Sequence, residues 1–261
     1  MKDQYFGDVN DYRKYGLLRA LTGHGRLRAS VCWALTQSDG RTDGSRTGYL
    51  QEPSKWRRFD PELFAFLRRQ VLEKEHRCVE AIERSRILPN CSFFSDLLPQ
   101  EVSGRDVFFN QLLSHASGAD VIFFDPDNGL GVKSVPRGAR GSPKYVYPSE
   151  LNTAYQHGHS LLVYQHFPRR PREEFVRSII RAMAALLGLN RVVAFSTSHV
   201  VFLLFPQPRH TRVLEECSVR VAQRWRGEIA VKQYWAGDEP ASSSDALLPS
   251  QTLEIPGVAV A

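Results

Sequence analysis

Ala119-Asp120-Val121-Ile122-Phe123-Phe124-Asp125-Pro126-Asp127-Asn128-Gly129 is the most informative stretch of this chain. Six residues to Phe124 hold a near-continuous apolar run, the pattern of a strand covered by helices on both sheet faces. Pro126 lacks an amide hydrogen and cannot continue a central ladder, so the strand ends at Asp125. Asn128-Gly129 is turn chemistry and supplies a positive φ without a Cβ. The loop thus sets two carboxylates and an amide at the tip of a buried strand. Outward from it, Ser160 to Tyr164 reads as another buried strand, ending at Gln165-His166-Phe167-Pro168. Ala29 to Leu35 is a third, emptying into the loop Gln37 to Gly48.

Between these runs the apolar spacing turns helical. Asp11 to Leu21 reads as a helix, capped by Asn10 or Asp11 and stopped by Gly23. Asp60-Pro61 opens a second, to about His76, with a further piece near Cys78 to Arg84. Residues 50–85 therefore read as a helical excursion between strands. Pro148 to about Gly158 and Arg172 to Leu187 are also helical, and Arg191 to Phe195 and His199 to Phe205 form strands about the turn Ser196-Thr197-Ser198. Alternating strands and helices imply an α/β fold: a doubly wound, mostly parallel sheet with a C-terminal antiparallel hairpin and a helical insertion. A single domain is expected over residues 1–236, with a flexible tail over 237–261 rich in Pro, Ser, Ala and Gly.

The 261 residues carry 34 Lys and Arg against 28 Asp and Glu, a formal net charge of +6, which is compatible with a polyanionic partner such as nucleic acid. Cys32, Cys78, Cys91 and Cys217 are scattered, so neither a thiolate zinc site nor a disulfide framework is expected. Reduced thiols, a charged N-terminal stretch and the lack of any long apolar run lead to the expectation of a cytoplasmic protein without membrane segments.

In open α/β sheets ligands sit beyond the carboxyl ends of the strands. Three candidate loops fall there. Asp125, Pro126, Asp127 and Asn128 are candidate catalytic residues, with His166 as a base or proton relay. Asp39, Gly40, Asp43 and Gly44, joined by Lys14, are candidates for cofactor binding, although the spacing is not that of a dinucleotide fingerprint. Lys133, Arg137, Arg140 and Lys144, interleaved with Tyr145 and Tyr147, suit a nucleic-acid strand by charge and stacking, and Arg169, Arg170 and Arg172 suit phosphate. His199 reads as a satisfied turn histidine.

Taken in order, these pieces resemble the adenine-N6 methyltransferases that modify large-subunit ribosomal RNA. Phe6-Gly7-Asp8 and Arg13-Lys14-Tyr15 are similar to that family's N-terminal Asn-Phe-Ala-Asp-x-x-Lys-His motif, with different spacing. Asp125-Pro126-Asp127-Asn128 stands where the family has Asp-Pro-Pro-Tyr, and Tyr164 to Pro168 echoes its Trp-Tyr-Pro. The resemblance implies a Rossmann-like, methyltransferase-like fold and S-adenosylmethionine as cofactor. It also implies that Asp125 orients an amino group of RNA or DNA. Asp127 and Asn128 replace the family's proline and its base-stacking tyrosine. Two alternatives stay open: a Mg²⁺-dependent nuclease or phosphohydrolase using Asp125 and Asp127, and a catalytically degenerate nucleic-acid-binding module.

Overall fold

The computed structural model describes residues 1–23, 25–37, 44–75 and 77–235. In chain order the strands are β1 (Ala29–Cys32), β2 (Cys91–Phe94), β3 (Val121–Phe124), β4 (Gly129–Leu130), β5 (Tyr145–Val146), β6 (Ser160–His166), β7 (Arg191–Ser196), β8 (Val200–Phe205) and β9 (Ala230–Trp235). The helices are α1 (Val9–Thr22), α2 (Pro53–Trp56), α3 (Pro61–Arg68), α4 (Glu80–Glu83), α5 (Val102–His115), α6 (Pro148–Gln156), α7 (Arg172–Leu187) and α8 (Thr211–Arg224).

Seven strands form one sheet in the order β2-β1-β3-β6-β8-β7-β9. The first four run parallel; β8, β7 and β9 continue it antiparallel. The fold is therefore the α/β, Rossmann-like mixed sheet that the strand pattern predicts. The hairpin does not simply cap an edge. Its second strand, β8, inserts between β6 and β7. From β1 the chain crosses to β2 on one side and returns to β3 on the other, so the ends of β1 and β3 flank a topological switch point.

Side chains alternate between two cores. Val31, Phe123, Leu162 and Phe202 face one side, packed by α1, α8 and the insertion. Cys32, Ile122, Val163 and Leu203 face the other, under α5, α6 and α7. On the first side Tyr12, Tyr49, Trp56, Phe59, Phe64 and Trp225 make an aromatic cluster, with Phe59 and Trp225 stacked at 5.3 Å. Gly16 of α1 is what lets Trp225 in: a Cβ there would lie 1.9 Å from the indole ring.

Local chemistry moves several expected boundaries. Asp8, not Asn10 or Asp11, caps α1, because its carboxylate accepts from Asn10 N at 2.9 Å. The helix expected from Asp60 to His76 is α3 followed by a π turn, Arg69–Glu73. The first strand stops at Cys32 rather than Leu35, which makes only an isolated bridge to Leu97. The third begins at Val121, and β6 runs on to His166 because β8 pairs with it as far as His166↔Val200. β2, α5, α8 and β9 lie outside the expected elements. The tail expected from 237 falls outside the described residues.

The segment between β3 and α6 is tied down by a fully buried guanidinium. Arg105 Nε and Nη2 bond Glu150 Oε1 and Oε2 at 2.7 and 2.8 Å, and Nη2 reaches Tyr145 O at 3.0 Å. Glu150 Oε2 also accepts from Tyr147 N at 2.9 Å. Such a bidentate, hydrogen-bonded pair offsets the cost of removing two charges from water.

Overpacking where α1 meets Trp225 gives a direct check. Gly16→Ala is expected to lower unfolding stability by about 1–3 kcal/mol in urea titrations. Gly48→Ala, where a Cβ meets nothing within 4 Å, should stay within about 0.5 kcal/mol of the parent.

Candidate functional site

The ends of β1, β3 and β6 open into one cavity of about 350 Å³. Asp125, Pro126 and Asp127 line it from the β3 loop, and Tyr164, His166 and Phe167 from the end of β6. Gly44 and Arg46 come from the segment after β1, and Asp8, Asn10, Asp11 and Lys14 from α1 and its cap. Met1, Tyr5 and His199 complete the wall.

Asp125 leaves the sheet in register, its N–H donating to Cys32 O at 3.0 Å. Its carboxylate is buried and meets Lys14, whose Nζ bonds Asp125 Oδ2 at 2.6 Å and Asp11 Oδ1 at 2.7 Å. Asp11 also accepts from Gly7 N and the Tyr15 hydroxyl. Burial opposes the charge on Lys14, but Asp11 and Asp125 outweigh it and hold the ammonium's pKa above the ordinary lysine value. Burial pushes the Asp11 carboxyl up to about 6, with Lys14 pulling it down and Asp125 adding to the rise. One ammonium thus serves two carboxylates in a dry setting. The anions that Lys14 reaches within the chain are Asp11 and Asp125.

A second ammonium closes the other side. The Met1 amino group donates to Trp33 O, Ala34 O and Asp125 O at 3.1, 3.2 and 3.0 Å, and pairs with Asp127 Oδ1 at 2.9 Å. Thr36 Oγ1 donates to Asp127 Oδ2 at 2.7 Å. Burial would raise the Asp127 pKa, but the Met1 ammonium, Thr36 and Lys2 hold it below the usual carboxylate value.

The turn itself is clamped by Gln165. Its Oε1 accepts from Leu130 N at 2.8 Å, and its Nε2 donates to Asn128 O at 3.2 Å and His166 O at 2.9 Å. Gly129, at φ +109°, is required here: a Cβ would fall 2.3 Å from Gln165 Oε1. Asn128 consequently serves the turn through its backbone, its N–H donating to Lys144 O, and does not line the cavity. His166 stands at the mouth, exposed on its outer side, with Nε2 3.1 Å from the Tyr164 hydroxyl. Desolvation lowers the imidazole pKa from its ordinary value, although Asp125 pulls it upward.

The structure thus brings Asp125, Pro126, Asp127, His166, Lys14 and Gly44 together. Asp39, Gly40 and Asp43 lie outside the described residues. Lys133, Arg137, Arg140, Lys144, Arg169 and Arg170 do not line the cavity. Arg137 is bound to Glu150 and Asp106, which neutralise it, and Arg170 packs over Phe175 and donates to Ser178. Among the described residues no group of three or more His, Cys, Asp and Glu is placed to hold a metal ion, and the Asp125 and Asp127 carboxylates each face an ammonium. His199, read as a turn residue, and Arg46 both line the site. No helix among the described residues is long and apolar enough to cross a membrane.

No family model matches the chain, nor does any curated protein. Among solved structures it is similar to protein LPL1258 from Legionella pneumophila str. Philadelphia 1, carrying the family-model description DUF519. The match has 10% identity over 89% of this chain and 98% of that one, with a TM-score of 0.40. A likeness of that grade transfers no residue role and no activity.

Removing the shared cation should be costly. Lys14→Met is expected to lose about 3–5 kcal/mol in chemical denaturation, because two buried carboxylates are left uncompensated. Adding Asp11→Asn and Asp125→Asn should recover most of it. For His166, a folded-state pKa below the unfolded value means that its contribution is complete above 6.5 and lost as pH falls through the folded pKa. Its ring resonances, assigned against His166→Asn, should therefore titrate with a midpoint below 6.5.

Proposed function

We propose that this chain is an S-adenosylmethionine-dependent methyltransferase-like enzyme acting on an amino group of a nucleic acid, with Asp125 orienting the acceptor. The observation that carries this reading is the meeting of the β1, β3 and β6 loops in one polar cavity at the switch point, with the Asp-Pro turn at its floor. A volume of about 350 Å³ lies at the small end of the range for ligand sites and suits a single base or nucleoside. The residues fit an aminoacyl end as well. An aminoacyl ammonium would take the place of the Met1 ammonium on Trp33 O, Ala34 O and the Asp127 carboxylate.

S-adenosylmethionine, when bound, supplies an activated methyl group. The chain's own contribution is positioning and desolvation more than acid–base power. Lys14 fixes the Asp125 carboxylate in place, so that it can accept a hydrogen bond from the amine and align its lone pair. Gln165 holds the following backbone in place. His166, whose burial disfavours the charged form, can take the proton that the methylated nitrogen sheds. Tyr164, buried beside Asp125, keeps water from the inner wall.

Calorimetry with S-adenosylmethionine and S-adenosylhomocysteine should show saturable binding that weakens in Asp127→Asn. Transfer of labelled methyl to short single-stranded RNA or DNA should fall by about 10²-fold in Asp125→Asn, the order expected for one well-placed polar group. Binding of nucleic acid without any cofactor binding would leave only a recognition module.

A further inference from the structure

The mouth of the cavity carries chemistry that the transfer step leaves unused. Arg46 is fixed through its backbone: its N–H donates to Asp8 Oδ2 at 3.1 Å, and its carbonyl accepts from Val9 N at 3.1 Å. Its side chain is exposed, lines the cavity, and has no ion-pair partner among the described residues. Arg172, at the start of α7, lies over the Phe167 ring at 4.9 Å and donates to Ser198 O at 2.7 Å. Both interactions orient its guanidinium without neutralising it. His199, next to Ser198, is exposed and lines the cavity, and its carbonyl accepts from Phe167 N at 3.3 Å. Burial first, then the positive charges of Arg46, Arg13 and Arg172, keep the His199 imidazole below its ordinary pKa. Arg13 is already paired with Glu228, which leaves Arg46 and Arg172 as the uncompensated cations among the three.

The rim therefore carries two cations and an aromatic ring, while within the cavity Lys14 and the Met1 ammonium meet the carboxylates of Asp11, Asp125 and Asp127. A polyanionic backbone is favoured at the rim, where Arg46 and Arg172 have no carboxylate partner, and not at the floor, where the two ammonium groups are already paired with carboxylates. That is the charge pattern needed to admit one extruded nucleotide and keep its phosphates outside.

We propose that the mouth formed by Arg46, Phe167, Arg172 and His199 grips a single-stranded nucleic acid: phosphates flanking one extruded nucleotide lie against Arg46 and Arg172, and the base passes Phe167 into the cavity. The grip deepens the proposed function and rests on it only for what then happens to the base. It also moves the binding surface away from Lys133, Arg140 and Lys144.

Fluorescence anisotropy with labelled 12-mers of RNA and DNA tests this without any methyl donor. Arg46→Ala with Arg172→Ala should weaken binding to either sugar at least tenfold. It should also flatten the slope of log K against log salt by about 1.4, roughly 0.7 for each phosphate of a single strand that is no longer neutralised. Both side chains are exposed, so the thermal midpoint should stay unchanged. Lys133→Ala with Arg140→Ala should bind within twofold of the parent. Parental affinity in the rim variant, a comparable loss in the Lys133 and Arg140 variant, or no binding by the parent would each overturn the proposal. A chain that binds the 12-mers through Arg46 and Arg172 but takes up no S-adenosylmethionine overturns the transferase reading and leaves this one standing.

Discussion

Lys14 carries its ammonium from the first helix to the end of the sheet, where it joins Asp11 to Asp125, more than a hundred residues apart in sequence. It is the cation that both buried carboxylates share, and among the described residues Lys14 pairs with no other carboxylate. α1 is therefore locked against the carboxyl end of β3, and the cavity wall that Asp8, Asn10 and Asp11 provide follows from that lock. The Met1 ammonium does the same service for Asp127 and the carbonyls after β1. Two ammonium groups thus hold the loop that the sheet topology exposes, and each leaves its carboxylate in a defined orientation at the cavity wall.

The remaining supports act at one remove. Gln165 fixes the turn after Asp127 by satisfying its backbone groups, and Gly129 leaves room for it. Arg105 and Glu150 hold the longer excursion between β3 and α6 through a buried ion pair with its hydrogen bonds filled. Because that pair also recruits Arg137, the segment is more internally bonded than a basic loop with aromatic residues suggests. At the cavity mouth, by contrast, Arg46 and Arg172 are exposed and pair with no carboxylate among the described residues.

The parallel strands β1, β3 and β6 and the β7–β8 hairpin were legible because each is a dense apolar run bounded by Pro, Gly or charged residues. α7 was legible through its spacing. β2 and β9 were not, being edge strands with exposed alternate residues, and α8 places Cys217 and Ser218 on its inner face, which blurs its apolar stripe. Asp125, Pro126, Asp127 and His166 were legible as site residues since they sit where strands end. Arg46 and His199 were not, because nothing local distinguishes a cavity-lining arginine or histidine from one in an ordinary turn. Asn128 looked like a functional side chain, yet its backbone is what the turn uses.

By itself the sequence determined the class of fold, the alternation of its layers and the strand ends at which chemistry can occur, because burial periodicity and turn residues are local properties of the chain. Only the tertiary structure decided which charges are spent inside and which remain for a ligand. Lys14, Arg105 and Arg137 are indistinguishable in sequence from Arg46 and Arg172. What separates them is the distance to a carboxylate, and that distance is set by how helices pack on the sheet.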